Sequence, residues 1–245
     1  MCIAAICSSI LIFNFMGCRN YEKEEKDALA YLSNKYGEEF ELEGNFVREG
    51  NNEFNPSPIK STSAWPKGNS DNIFTIKLNP EDEFRDNYQN ILMKSLADEY
   101  LVNMVRSYWS NGEIYVELSG GLTNKKFQED NISAFLVDSG VVSDIYMFFQ
   151  YNNDFDINEE GEKIYKLYKE FEGRELEGHV KVMYVMKDIL EKEKINNKTW
   201  SNLEANKSYI KKCSIRYSKS YPEGNDEITI ESIKQKLEKN YMEDN

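Results

Sequence analysis

The chain of 245 residues contains one histidine, His179, so any Ser-His-Asp or Cys-His centre must use it. A metal site built from several histidines cannot be assembled from one. Beyond residue 18 there is one cysteine, Cys213, in the alternating run Cys213-Ser214-Ile215-Arg216-Tyr217, where it reads as a small buried hydrophobe. His179 follows Gly178 at the start of a predicted strand, and pairing it with Cys213 as a nucleophile would require the two strands to be neighbours. The segment Asn152–Glu162 gathers Asp154, Asp156, Glu159 and Glu160, a density of hard oxygen donors that invites a calcium reading. An EF-hand loop beginning at Asp154 would need glycine where Glu159 stands and a bidentate acid where Tyr165 stands. These acids read instead as a solvated turn favouring the positive end of the next helix. Trp65, Trp109 and Trp200 are candidates to line a groove for sugar or peptide, Trp65 most of all, because no apolar period surrounds it. Nucleotide-binding glycine loops, the G-x-S-x-G elbow and H-E-x-x-H are absent from the sequence, which therefore names no catalytic residue, cofactor or metal ligand.

The first 17 residues carry no charge, and nine of the eleven from Ile3 to Phe13 are apolar. That run is shorter than the ~20 residues of a membrane span and suits the hydrophobic region of a signal peptide. It ends in Phe15-Met16-Gly17-Cys18, which resembles the lipobox of bacterial lipoproteins, those of Gram-positive organisms in particular. The resemblance covers these four positions and the run before them. Gly17 and Cys18 fit; Phe15 replaces the usual Leu, Met16 replaces a small residue, and no Lys or Arg precedes the run. It implies cleavage after Gly17, lipidation of Cys18 and a membrane partner reached through that lipid on the extracytoplasmic face. Two other readings of the run stay open: an uncleaved membrane anchor and a buried apolar segment. Cys2 and Cys7 lie inside the signal, so processing would leave Cys213 as the one free thiol.

The elements that would position any site follow from periodicity. Helical spacing runs over 21–36 to a stop at Gly37, and Phe40, Leu42 and Phe46 suggest a strand. Asn51–Asn72, rich in Asn, Ser and Pro, predicts a long surface loop, and Ile73–Leu78 a short strand. A long helix is expected over Glu83–Tyr108, with Leu92, Leu96 and Met104 facing a sheet. Strands follow at Ile114–Leu118, Val141–Tyr151, Val180–Met186 and Tyr209–Tyr217, with helices at Asp156–Glu172 and Ile230–Leu237. Gly37-Glu38-Glu39-Phe40-Glu41 and Gly173-Arg174-Glu175-Leu176-Glu177, offset by 136 residues, raise a duplication of helix-strand-strand-helix halves.

These features predict an α+β fold with mainly antiparallel sheet and packed amphipathic helices. The organisation is a signal peptide over 1–17, a tether over 18–26, and α+β halves over 27–151 and 152–245, separate or as one domain. With 43 acidic against 30 basic residues the formal charge is −13, which repels nucleic acid. The sequence thus points to an exported, lipid-anchored surface module that binds a protein, peptide or glycan ligand without catalysis. A carboxylate-dependent exported hydrolase and an anchored inhibitor or immunity-type protein are the alternatives.

Overall fold

The computed structural model describes residues 21–50, 57–192, 196–218 and 228–239. Gly17 and Cys18, which carry the lipobox resemblance, lie outside the described residues. The fold is α+β, with two mostly antiparallel sheets in two compact units. Unit 1 holds the described residues up to Ile91 together with Leu122–Lys126; unit 2 holds Leu92–Gly121 and the described residues from Phe127 onward. The expected division at 151/152 is therefore corrected, because it would cut between a strand and the crossover helix that returns the chain to the same sheet.

In unit 1, helix α1 (21–36) presents Ala28 and Leu32, one turn apart, to a sheet, and both are fully buried. It stops at Gly37, whose φ of +81° carries no penalty for glycine and whose N–H donates to the Ser33 carbonyl at 2.8 Å. The strands are β1 (Phe40–Leu42), β2 (Val47–Arg48), β3 (Lys60–Pro66), β4 (Phe74–Leu78) and β5 (Phe84–Asp86). Their order is β1-β3-β4-β5, with β2 also on β3, and every pair is antiparallel. Phe40, Phe74 and Tyr88 meet edge-on or tilted at 4.7–5.7 Å between ring centres and close the core beneath α1.

Two sequence expectations fail here. Part of the expected Asn51–Asn72 loop is strand β3, in which Trp65 sits opposite Glu41 and donates its indole N–H to that carboxylate at 2.9 Å. Trp65 is a cross-strand cover. The expected helix over Glu83–Tyr108 is three elements: β5, the single turn α2 (Gln89–Leu92) and α3 (Lys94–Arg106). Leu92 is exposed at the end of α2, whereas Leu101 and Met104 of α3 are buried and Leu96 is half-buried.

Unit 2 is built on β6 (Glu113–Gly120), β7 (Val141–Gln150), β8 (Gly178–Val185) and β9 (Lys211–Tyr217), in that spatial order. The outer pairs are antiparallel, and β7 and β8 are parallel, joined by helix α5 (Ile157–Gly173). A short α4 (Ile132–Asp138) precedes β7; α6 (Lys187–Lys192) and α7 (Asn197–Ala205) lie between β8 and β9; α8 (Ile230–Glu238) is last. Both faces of β7 and β8 are covered. Ile145, Met147, Val180 and Val182 join Leu167 and Phe171 of α5 and Ile233 of α8 in one core, while Phe148, Met183 and Val185 meet Trp200 and Leu203 of α7 on the other side. At the start of β8, Gly178 faces Ser143 so closely that a β-carbon would lie 1.9 Å from the Ser143 carbonyl oxygen.

The expectation of duplicated halves is also corrected. Five described strands follow α1, whereas β8, α6, α7, β9 and α8 follow α5, and one pair of the unit 2 sheet is parallel. The matching segments differ in conformation as well: Gly37 supplies the left-handed turn after α1, but Gly173 is the last residue of α5 and Glu175 takes the positive φ instead.

Candidate functional site

The crossover from β7 through α5 to β8 leaves an open cleft at the carboxyl ends of the two parallel strands, a place where α/β units commonly hold ligands. Its volume is about 540 Å³, within the range of small-ligand pockets. Four elements bring side chains to it. After α3 the chain turns through Trp109–Gly112, and Arg106 clamps that turn by donating to the carbonyls of Asn111 at 2.6 Å and Gly112 at 2.8 Å. Gly112 has φ +89°, and a β-carbon there would lie 2.3 Å from the Phe149 ring, so glycine lets the ring close against the turn. Phe149 comes from the end of β7 and Tyr184 from the end of β8, opposite each other in the parallel register.

The fourth contribution is Glu160 in the first turn of α5. Asp156 caps that helix, its carboxylate accepting from the Asn158 N–H at 2.8 Å. Glu160 Oε2 then accepts two neutral donors, Trp109 Nε1–H at 2.7 Å and the Tyr184 hydroxyl at 2.5 Å. Its Oε1 accepts from Lys163 Nζ at 2.9 Å, and Lys163 also pairs with Glu159 at 2.6 Å. Burial and the Glu160 charge push the Tyr184 phenol well above its ordinary pKa, so Tyr184 stays a donor. Burial works against the Lys163 ammonium, but its hydrogen bonds to Glu159 and Glu160 outweigh that and raise its pKa. Trp109 stacks on Phe149 at 5.5 Å, Phe149 meets Tyr184 at 5.7 Å, and Phe155 meets Tyr184 edge-on at 4.7 Å. A carboxylate is thus held in one orientation by rigid aromatic partners at the wall of a cleft, with 14% of its side chain exposed.

The other residues singled out by sequence lie elsewhere. His179 is half-buried in β8, its Nδ1 2.6 Å from Asp144 Oδ1, with Lys181 on the other Asp144 oxygen at 2.8 Å and on the Tyr146 hydroxyl at 2.9 Å. Burial disfavours the Asp144 carboxylate, but these hydrogen bonds prevail and hold it below the ordinary carboxylate range. Cys213 is 1% exposed and packs in the core on the opposite face of the sheet, where burial pushes its thiol up to about 12. Although β8 and β9 are neighbours, His179 faces Arg216 and Cys213 faces Val182, so the two side chains leave opposite sides. Among the described residues no three His, Cys, Asp or Glu side chains converge as a metal site, the Asn152–Glu162 acids included. Of the tryptophans, Trp109 lines the cleft, Trp65 covers β1, and Trp200 packs on Tyr146 and Phe148. Sequence reasoning read Glu160 as a solvated helix-start acid; its partners come from α3 and β8, and no local spacing announces them.

No family model matches the chain, and none of the curated proteins does. Among solved structures it is similar to the crystal structure of a DUF5037 family protein from Ruminococcus gnavus, with 15% identity and a TM-score of 0.38 over 87% of this chain and 98% of that one.

Proposed function

We propose that the protein is an exported, lipid-anchored module that acts by binding a ligand in the unit 2 cleft, without catalysis. The observation that carries the binding reading is the Trp109–Glu160–Tyr184 arrangement, which fixes a carboxylate on rigid elements at the wall of a cleft of about 540 Å³. The opposed faces of His179 and Cys213, with the thiol held protonated by burial, favour binding over nucleophilic chemistry. Export and anchoring rest on the uncharged apolar run that ends at Gly17-Cys18. Among the described residues no helix is long and apolar enough to cross a membrane.

Two measurements test the proposal. Intact mass of protein extracted from membranes should show residues 1–17 removed and lipid on Cys18, and Cys18→Ala should abolish labelling by a fatty-acid analogue; unchanged labelling ends the anchor reading. A thermal-shift screen of the extracted protein against amines, sugars and short peptides should find ligands that raise Tm in the wild type and not in Tyr184→Phe. Stabilisation that survives in Tyr184→Phe would move the ligand out of this cleft.

A further inference from the structure

Resting on the reading of the unit 2 cleft as a ligand site, we infer that its ligand is an organic cation, a group such as the alkylammonium of a lysine side chain or of a free diamine. The charge balance of the walls gives the sign. Glu113, Asp154, Glu159 and Glu160 line the cleft against one cationic lining residue, Lys163, which is already paired with both Glu159 and Glu160. Three formal negative charges are left over in a concavity floored by buried rings, where low polarizability of the walls strengthens attraction relative to bulk water.

Geometry separates an organic cation from a metal ion. The lining carboxylates are spread around the cleft, and no three of them converge on a point where an ion could sit. A flexible ammonium with three donors can satisfy separated acceptors in turn, which a coordination sphere cannot. Glu160 is the anchor such a donor would meet. Its two oxygens have about four acceptor positions in all. Among the described residues three are used, by Trp109, Tyr184 and Lys163, and the vacant one is on Oε1.

Neutral sugars fit less well. Trp109, Phe149 and Tyr184 are all at most 5% exposed, so none offers an open ring face for a pyranose to stack on. Half-buried Phe155 and Tyr108 keep some ring surface, enough for the methylene stem of an amine beside its charged head.

The test is calorimetric titration of the full, detergent-extracted protein with cadaverine, with N-acetyl-lysine methylamide, and with the uncharged isostere N-acetyl-norleucine methylamide. The amines should bind and the isostere should not, with affinity falling as salt rises through the ~0.05–0.3 M range over which screening tightens. Glu160→Gln should weaken amine binding about tenfold or more, the usual scale for removing one charged partner. Because Glu160→Gln also touches the core, the exposed rim variant Asp154→Asn/Glu159→Gln provides the second arm, with binding weakened several-fold and Tm unchanged. Preference for cadaverine would identify a free amine as the ligand, and preference for the lysine derivative a peptide side chain. Equal binding of the isostere, or salt-independent binding, overturns the cation assignment while leaving the cleft a ligand site. Amine binding untouched in both variants overturns it as well. Failure of every probe, together with an empty thermal-shift screen, would bring down the site itself.

Discussion

Unit 1 and unit 2 each hold one carboxylate among tyrosine and lysine partners, and the two are put to different uses. Asp86 in β5 is fully enclosed, its side chain 0% exposed. Its Oδ2 accepts from the Tyr31 hydroxyl at 2.8 Å and Lys35 Nζ at 2.7 Å, and its Oδ1 from the Tyr36 hydroxyl at 2.6 Å and the Tyr88 N–H at 3.0 Å. Four donors saturate four acceptor positions. Lys35 and the Asp86 backbone also hold Thr123, fastening the returning segment Leu122–Lys126 into unit 1. Glu160 has three donors and an open side. The same chemistry forms a structural knot when every acceptor is filled and water is shut out, and a candidate recognition group when one acceptor faces a cleft.

The sharpest way to break this comparison is Asp86→Ala. It strands the Lys35 ammonium, already pulled below its ordinary pKa by burial despite Asp86, beside two phenols. A loss of ~3–5 kcal/mol in denaturant melts is expected, the scale for removing one partner of a buried pair. A loss below ~1 kcal/mol would show the knot to be dispensable.

An apolar yardstick comes next: Leu101→Ala in α3, where the side chain is fully buried, should cost ~2–5 kcal/mol. Glu160→Gln should cost less than either, ~1–3 kcal/mol, because Gln keeps one oxygen for Trp109 or Tyr184 and leaves the other donor a route to the cleft. A cost equal to that of Asp86→Ala would erase the distinction between the two carboxylates.

A fourth effect is set by pH. The Cys213 thiol, ordinarily near 9, titrates near 12 in the fold, so folding favours its protonated form. Its contribution is complete below about pH 9 and is lost as pH rises toward 12, because only the unfolded chain ionises in that window. Relative to Cys213→Ala, the wild type should lose on the order of 1 kcal/mol by pH 10, measured as the difference between alkaline stability profiles. Smallest of all, Leu92→Ala should change stability by under ~0.5 kcal/mol, since that side chain is exposed.

The sequence was most readable where burial is apolar on a regular period. Val141–Gln150 and Gly178–Val185 are strands covered on both faces, as their near-continuous apolar runs imply, and α5 begins at Asp156 and buries Ile164, Leu167, Tyr168 and Phe171. It misled where an inward position is polar. The inward residue of β5 is Asp86, so Phe84-Arg85-Asp86 lacks the apolar alternation of a strand and merges with the helical pattern after it. β3 reads Lys-Ser-Thr-Ser-Ala-Trp-Pro, with Ala64 its one fully buried apolar side chain, and is held by ladders on both sides. The cleft was illegible for a related reason: Trp109, Glu160 and Tyr184 are far apart in sequence, and only the parallel crossover brings them together.

Gly178 shows how that crossover is kept in step. A parallel pair joined through a long helix has no tight turn to set its alignment, so β8 could in principle dock on β7 in several ways. A slip of one residue would put Glu177 or His179 opposite Ser143, where a β-carbon cannot fit, and would turn Val180, Val182 and Tyr184 out of the core. A slip of two would restore the faces and still set Leu176 or Val180 against the same carbonyl. The glycine therefore acts as a key, contributing through the alignments it forbids, and the alignment it leaves is the one in which Tyr184 arrives at the level of Phe149, within reach of Glu160.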